Sequence, residues 1–336
     1  MNNTVNLDAS KALAFQATYR GYRGTPLQTY KLKGRMLLVK DETNRMGLGA
    51  FKALGGIYAV AKLIEAQAAQ VSDTKGQGKR RRSIAGQGMT FVCASAGNHG
   101  MAVTAGACAF GAKARIHLSE TVPESFARRL REKGAEVVRS GVDYEASVVA
   151  AIADAESTGA IHLADGSWPG YTEPPRLVME GYTVMAEEMR ASFEASGQWP
   201  THVYLQAGVG GMAAAIAYMI RKNWSFQPKI KIVEPDAAPC LRDSALAGRI
   251  VTVDGPVSNM GRLDCKTPSM LALDILKGCA ADWVTVTDDE ASAALTFARD
   301  LGFSTTPSGA AGLAAALRED ANLQLVILSE GSVADP

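Results

Sequence analysis

The sequence predicts an α/β protein in two lobes, with parallel sheets flanked by helices. Strand-like apolar segments alternate with helix-like segments of about 10–15 residues, which is the pattern of βαβ units. The 336 residues exceed what one hydrophobic core usually serves. Because 47% of them are hydrophobic, the chain has ample apolar surface to bury, and long disordered stretches are not expected.

Strands and helices can be assigned in order along the chain. Near the start we predict a strand at 35–42, a helix at 51–69 and an exposed Gly-rich, basic loop at 74–88. The first lobe has strands at 90–95, 114–118, 135–140 and 160–165, with helices ending near 110 and spanning 123–134 and 144–157. The second has strands at 202–207, 229–234, 283–287 and 323–329, and helices at 176–194, 212–223, 239–248, 288–302 and 308–320.

Charge and composition argue against several classes of protein. Thirty-five basic and 34 acidic residues give a net charge of +1, whereas binders of nucleic acid or anionic membranes show a clear basic excess. The basic loop at 74–88 lacks the interleaved aromatic residues of an RNA-binding patch. No apolar run reaches the ~18 residues of a membrane span, and the first residues lack the features of a signal peptide.

Cysteine and histidine usage points the same way. The five cysteines are scattered without CxxC spacing, and the four histidines lack metal-ligand spacing. We therefore expect a cytoplasmic protein with no metal site, no membrane contact and no nucleic-acid partner.

Three strand ends carry residues suited to chemistry, because ligands of open α/β sheets bind beyond the carboxyl ends of strands. The strongest is 206–215, where Gly208, Gly210 and Gly211 lead into a helix and predict an anion cradle for a phosphate. An alternative stays open there, since Gly208, Gly210 and Ala213 also fit the G-x-G-x-x-A fingerprint of dinucleotide binding. Glu234 would then bind the ribose. That alternative leaves the other clusters unexplained.

The second strand end is CASAGNHG at 93–100, and the third is LSEGS at 328–332. Ser95 and Asn98 place short polar groups at a strand end, although Asn98 could simply cap a helix and His99 could serve the fold. The GxSxG elbow of serine hydrolases is absent here. A further candidate is Lys52, at the start of a Gly/Ala-rich helix. Small, apolar neighbours leave room for a bulky partner and favour a neutral amine, as a Schiff-base lysine needs.

This combination of motifs resembles the fold-type II pyridoxal-phosphate (PLP) enzymes, whose fold is that of the tryptophan synthase β chain. The resemblance is strongest to the diaminopropionate ammonia-lyases and covers nearly the whole chain. It is carried by NRMGLGAFKALGG at 44–56, DYEASVVAA at 143–151, DGSWPGYTEPPRLVMEGY at 165–182, NMGRLDC at 259–265 and SEGSVADP at 329–336.

The resemblance implies PLP as the cofactor and a role for each motif. Lys52 would carry the cofactor, Asn98 would bond its ring hydroxyl, and Ser329 would face its ring nitrogen. A neutral hydroxyl there weakens the ring as an electron sink and favours prompt β-elimination. The implied cofactor-binding residues are Lys52, Asn98, Gly208, Val209, Gly210, Gly211, Met212 and Ser329. The implied substrate-binding residues are Ser95, Ala96, Gly97, Asn98 and His99.

The resemblance also implies an overall organisation. A larger cofactor-binding domain would comprise 1–85 and 183–336, and a smaller, mobile α/β domain would comprise 86–182. The active site would lie in the cleft between them, and the protein would be a homodimer with a small amino acid as its substrate.

Three positions bear on specificity. Ala96 stands where the ammonia-lyases carry the aspartate associated with the D isomer, whereas Asp165 matches the acidic residue associated with the L isomer. We therefore expect Lys52 and Asp165 to be catalytic and the L isomer to be preferred, although a cap after a strand would also suit Asp165. Thr306 stands where several dehydratases carry a glutamate, which weakens a plain serine or threonine dehydratase.

These motifs leave four hypotheses for the function. The first is a PLP-dependent lyase that converts a small L-amino acid, with diaminopropionate the favourite, to pyruvate and ammonia. The second keeps PLP but is a hydroxy-amino acid dehydratase or a β-replacement synthase. The third is an NAD(P)-dependent oxidoreductase built on 206–234. The fourth, a catalytically silent relative, conflicts with the presence of Lys52, Asn98 and Ser329.

Overall fold

The computed structural model describes residues 5–32, 34–72, 85–279 and 282–332 of the chain. Most of the predicted loop at 74–88 and the last four residues of the motif at 329–336 lie outside these ranges. The chain divides into two compact units. The first unit consists of Met1–Phe51, Gly166–Thr172 and Tyr182–Pro336, and the second of Lys52–Asp165 and Glu173–Gly181.

The first unit is built on a six-stranded sheet. Its strands are β1 Leu27–Leu32, β2 Arg35–Asp41, β7 His202–Gln206, β8 Lys229–Pro235, β9 Asp282–Val286 and β10 Leu323–Leu328. They lie in the order β1-β2-β10-β7-β8-β9. All neighbours are parallel except β1 and β2, so the sheet has one antiparallel edge.

The helices of this unit contribute to its core. They are α1 Ala9–Thr18, α7 Gly211–Asn223, α8 Cys240–Ala247, α9 Met270–Gly278, α10 Asp288–Asp300, α11 Pro307–Leu317 and the later part of α6 Glu173–Ser196. Every residue of α11 from Ser308 to Ala316 is buried, because small side chains let this helix pack directly on the sheet. A capping box of Thr287 and Glu290 fixes the start of α10.

The second unit is built on a smaller, fully parallel sheet. Its strands are β3 Thr90–Ala94, β4 Lys113–Leu118, β5 Glu136–Arg139 and β6 Ile161–His162, in the order β5-β4-β3-β6. Its helices are α2 Lys52–Ser72, α3 Asn98–Ala109, α4 Glu124–Glu132, α5 Tyr144–Thr158 and the first part of α6. The Asp143 carboxylate caps α5 at its start, and Gly159 ends it with a φ of +70°.

The predicted architecture of parallel sheets flanked by helices is confirmed, but the sequence pattern missed three elements. They are α1, the edge strand β1 and α9, which lies in a stretch interpreted as irregular. β1 is half exposed on an antiparallel edge, so it lacks the continuous apolar run of a buried strand. The strand predicted at 160–165 is shorter, spanning only Ile161–His162.

The two compact units do not coincide with the domains expected from the resemblance. The second unit includes α2, whereas the expected larger domain contains residues 52–85. The compact units reflect contacts within the chain, whereas the expected smaller domain was defined as a mobile part. The expected division into domains therefore stays a prediction. Among the described residues, no helix combines the length and apolar character needed to cross a membrane.

Candidate active site

The residues singled out from the sequence are divided between the two units. Lys52, Asp165 and the loop at 95–99 belong to the second unit, whereas the glycine loop at 208–212 and Ser329 belong to the first. Each set follows the carboxyl end of a strand or begins a helix, as the sequence predicted.

Lys52 and Asp165 form an ion pair in the second unit. Lys52 is the first residue of α2, and its Nζ donates a hydrogen bond to Asp165 Oδ2. Each side chain is 22% exposed. Burial raises the pKa of the Asp165 carboxyl, but the Lys52 ammonium and, less strongly, His99 lower this pKa well below its ordinary value. The carboxylate is therefore ionised at neutral pH, and it meets the lysine rather than capping a turn.

His99 belongs to the same neighbourhood. Its Nε2 lies 2.8 Å from the Leu163 carbonyl oxygen, so Nε2 carries the proton that it donates and Nδ1 carries none. Nδ1 is buried and has no hydrogen-bond partner within the described parts of the chain. Burial lowers the pKa of His99, and this effect is larger than that of the Asp165 carboxylate, which raises the same pKa. The ring is therefore neutral, with an unsatisfied acceptor of the kind that often marks a functional site.

The loop at 95–98 connects β3 to α3 in a tight turn. The Gly97 N–H donates to Ser95 Oγ over 3.3 Å, and Gly97 is the N-cap of α3. Asn98 is the first residue inside that helix, so it does not serve as the cap. A Cβ on Gly100 would lie 2.3 Å from the Ser95 carbonyl oxygen, which explains why a glycine follows His99.

The glycine loop of the first unit connects β7 to α7. Gly210 is the N-cap of α7 and has a φ of +99°, a conformation that favours glycine. A Cβ on Gly208 would lie 2.9 Å from Cys265 Sγ and 3.1 Å from the Arg262 carbonyl oxygen. The first bond within the helix runs from the Ala214 N–H to the Gly210 carbonyl. The preceding N–H groups therefore form the anion-binding end of a helix.

Ser329 follows β10 directly and is buried. Its carbonyl accepts a hydrogen bond from the Phe51 N–H over 3.1 Å, which ties this strand end to the residue before Lys52. Since it joins two backbone groups, no side-chain pattern in the sequence signals this link.

Thr306 has a structural role in this arrangement. Its Oγ1 accepts a hydrogen bond from the Gly309 N–H, which caps α11, and donates one to Glu330 Oε1 over 2.5 Å. Because both functions of the hydroxyl are in use, Thr306 supplies a helix cap and a brace for Glu330.

Glu234 is also committed to the fold. Its carboxylate accepts hydrogen bonds from the Leu241 and Arg242 N–H groups at 2.7 and 2.9 Å, so it caps the start of α8. Burial raises the pKa of Glu234 to about 7. The acid that the dinucleotide alternative assigned to a ribose is therefore occupied by backbone donors. Within the described residues, no group of three or more His, Cys, Asp or Glu is placed to hold a metal ion.

Comparison with known proteins identifies the family. A family model described as pyridoxal-phosphate dependent enzyme matches residues 18–325. The chain is 34% identical over 317 residues to the diaminopropionate ammonia-lyase of Escherichia coli (strain K12), covering 91% of this chain and 79% of that protein. It is 29% identical over 281 residues to a probable D-serine dehydratase of Burkholderia thailandensis, covering 78% and 62%.

A solved structure agrees with these matches. The E. coli diaminopropionate ammonia-lyase in complex with an aminoacrylate-PLP azomethine reaction intermediate superposes with a TM-score of 0.84 at 30% identity. The match covers 98% of this chain and 91% of that one. The family match therefore extends over both units and includes the Lys52 helix and the glycine loop. The chain belongs to the family of pyridoxal-phosphate dependent enzymes, and PLP is its cofactor.

Proposed function

We propose that the protein is a PLP-dependent ammonia-lyase that converts 2,3-diaminopropionate, with a preference for the L isomer, to pyruvate and ammonia. Relatives that carry the name diaminopropionate ammonia-lyase support this reaction. The observation that carries the proposal is the ion pair of Lys52 and Asp165, an amine beside an ionised carboxylate.

The first unit offers groups that suit the phosphate and ring of PLP. The start of α7, together with the tight turn that Gly208 and Gly210 allow before it, suits a dianionic phosphate. The buried Ser329 hydroxyl suits the ring nitrogen. The residues we assign to the phosphate are Gly208, Val209, Gly210, Gly211 and Met212.

The second unit offers the amine and the substrate loop. We assign Lys52 as the residue that carries PLP and Asn98 as the partner of the ring hydroxyl. Backbone N–H groups at a helix start suit a carboxylate. The segment that we assign to the substrate carboxylate is Ser95, Ala96, Gly97, Asn98 and His99.

When bound, PLP withdraws electrons from the Cα of the amino acid and so makes the Cα proton removable. Asp165 lies beside Lys52, which supports a role as the acceptor of that proton. Burial by itself raises the pKa of Asp165, and it is the Lys52 ammonium that holds this pKa low. Once the Lys52 nitrogen no longer carries that charge, the carboxylate becomes the stronger base. We therefore assign removal of the proton from the L isomer to Asp165.

The same pair suits the leaving group. An amine leaves the β carbon readily only in its protonated form. A carboxylate that accepts the Lys52 ammonium also suits the second ammonium of diaminopropionate. Ala96 offers no carboxylate for the opposite face, which supports the preference for the L isomer.

A second candidate is a dehydratase of hydroxy-amino acids, which the identity to the D-serine dehydratase favours. A β-replacement synthase is the third candidate, because it would begin with the same elimination and then add a nucleophile. The ammonia-lyase, the dehydratase and the synthase differ in the group that leaves the β carbon and in what happens to that carbon afterwards. Analysis of the products therefore distinguishes the three reactions.

Two further inferences concern the working state. We infer a cytoplasmic enzyme, since all five cysteines are free and one of them, Cys108, is exposed, which suits a reducing compartment. We infer a homodimer from the resemblance to fold-type II enzymes. Gel filtration with light scattering tests the dimer.

The function is tested by offering the holoenzyme L- and D-2,3-diaminopropionate and L- and D-serine separately. Each diaminopropionate takes up one water to give one pyruvate and two ammonia, whereas serine gives one ammonia. We expect two ammonia per pyruvate from the L diamine. Pyruvate from serine alone would favour the dehydratase. No pyruvate from any of the four, with the cofactor absorbance retained, would contradict both eliminations.

A further inference from the structure

The helix that begins with Lys52 is packed very closely against α6 in the second unit. A Cβ on Gly181 of α6 would lie 2.5 Å from the Leu54 carbonyl oxygen and 2.7 Å from Gly55 Cα. Since these are backbone atoms, nothing there could yield to a side chain. The first turn of α2, two residues beyond Lys52, therefore touches the backbone of α6.

The same stretch of α2 also packs closely on α3. A Cβ on Gly56 would lie 2.6 Å from Ala102 Cβ, and a Cβ on Gly106 would lie 3.1 Å from Ile57 Cα. Contacts of this kind between small residues hold helices close together, but they involve no polar side chain. A directional hydrogen bond at the same helix crossing therefore adds a constraint that they do not supply.

A directional contact lies one turn further along α2. The Tyr58 hydroxyl donates a hydrogen bond to Glu180 Oε1, and Arg176 Nη1 donates to Glu180 Oε2 over 2.7 Å. Tyr58 is fully buried and Glu180 is 2% exposed. A buried, charge-assisted hydrogen bond demands good geometry and is costly to break. Because Glu180 adjoins Gly181, this bond lies at the closest approach of α2 and α6.

We propose that Glu180 is a positioning residue for the cofactor lysine. Through Tyr58 it fixes where α2 begins, and so it holds Lys52 Nζ beside the Asp165 carboxylate. The inference rests on the attachment of PLP through Lys52 and is independent of which amino acid is the substrate. Without the bond to Tyr58, α2 shifts along α6 and Nζ moves away from Asp165. The nitrogen then lacks a neighbouring negative charge and binds a proton less tightly.

The test is a pH titration of the visible absorbance of PLP bound to the holoenzyme. Tyr58→Phe removes the hydroxyl that bonds Glu180. Tyr204→Phe is the matched control, because it removes the hydroxyl of another buried tyrosine that donates to a glutamate, Glu319, in the first unit. We expect the absorbance midpoint to fall by about half a pH unit or more in Tyr58→Phe and to stay unchanged in Tyr204→Phe.

Two further variants keep the result decisive. Glu180→Gln is expected to lower the midpoint as Tyr58→Phe does. Arg176→Gln, at a partly exposed position, is expected to lower it by less, and it provides the test if the buried variants do not fold. Equal midpoints in Tyr58→Phe and Tyr204→Phe, or an unshifted Arg176→Gln, would overturn the proposal. The titration needs no substrate, so it stands even if diaminopropionate is not turned over.

Discussion

The first and second units each contain a cluster of buried or half-buried charges, and the two clusters differ in how fully they are satisfied. In the first unit, Arg45 is fully buried and donates to the carboxylates of Glu42 and Glu188 at 2.5–2.8 Å. Lys40 donates to Glu188 at 2.5 Å and to the Thr25 carbonyl at 2.8 Å. Two cations thus face two anions, and the guanidinium is bonded at all three nitrogens.

The Lys52–Asp165 pair is different. Each of its side chains is 22% exposed, and the unsatisfied Nδ1 of His99 lies in the same neighbourhood. A closed network such as that of Arg45 fixes the fold, because no member can be removed or reprotonated cheaply. A more open pair with a strongly shifted pKa is what an active site requires. The Arg45 cluster therefore has the features of a structural network, whereas the Lys52–Asp165 pair has the features that the proposed catalytic role requires.

The largest effect is expected from Lys52→Ala. We expect activity to fall by on the order of a thousandfold or more, because the covalent attachment of PLP is lost. The visible absorbance of bound PLP should disappear as well, and loss of activity rather than loss of the fold should be the main effect, since the pair is partly exposed. Lys62→Ala, on the same helix, is the control and should retain both activity and absorbance. A Lys52→Ala variant that stays active would refute the assignment.

The opposite pattern is expected from Arg45→Met. Removing this cation leaves Glu42 and Glu188 facing each other in a buried site, which should cost about 3–5 kcal/mol of unfolding free energy. Urea denaturation measures the loss. Lys11→Met, which removes an exposed ion pair to Asp8, should change stability by less than about 0.5 kcal/mol. Similar losses in the two variants would show that the closed network is no more important than a surface pair.

A smaller effect on catalysis is expected from Asp165→Asn. The amide cannot accept the Cα proton, so kcat should fall by about 10²–10⁴-fold while PLP stays bound. Steady-state kinetics and the absorbance of bound PLP measure the two properties. Asp154→Asn is the control, since Asp154 pairs with Arg115 and His117 elsewhere in the second unit. If both variants keep full turnover, Asp165 is not the base.

Much of the fold could be predicted from the sequence because parallel strands and amphipathic helices leave local periodicities. The turns at 95–98 and 208–211 were predicted for a different reason, because glycines directly after a strand indicate a tight turn into a helix. β1 was missed because an edge strand has weak periodicity, and α9 because its apolar run follows a long irregular stretch.

The pairings could not be predicted in the same way. Arg45 meets Glu188 across 143 residues of sequence, and Lys52 meets Asp165 across 113. Nothing local indicates that a lysine on one helix faces an acid beyond a distant strand. Lys52 was first singled out by its small, apolar neighbours, whereas Asp165 was singled out only through a motif of a known family. The Tyr58–Glu180 bond was not anticipated, because Tyr58 lies outside those motifs.

Glu234 provides a third case for the comparison of the two charge clusters. Its carboxylate is buried, but it is bonded by backbone N–H groups and, among the described residues, has no ion-pair partner comparable to Arg45. Its pKa is raised to about 7, chiefly by burial, so the folded state binds a proton more tightly than the unfolded state does. Stability from this group is therefore fully present below pH ~4.5 and is lost as the pH rises toward 7. Glu188, whose pKa the cluster lowers against the effect of burial, has the opposite dependence and loses its contribution only in acid.

We therefore expect Glu234→Gln to remove a decline of about 2–3 kcal/mol in unfolding free energy between pH 5 and pH 8, measured by urea denaturation of variant and parent at both pH values. Glu319→Gln is the control, because the pKa of Glu319 is lowered and its carboxylate stays ionised over this range. The cost of that substitution should be the same at both pH values. The stability difference between the parent and Glu234→Gln could instead be the same at pH 5 and pH 8. That result would mean that the Leu241 and Arg242 N–H groups keep Glu234 ionised at both pH values. The α8 cap would then resemble the closed Arg45 network rather than a strained buried acid.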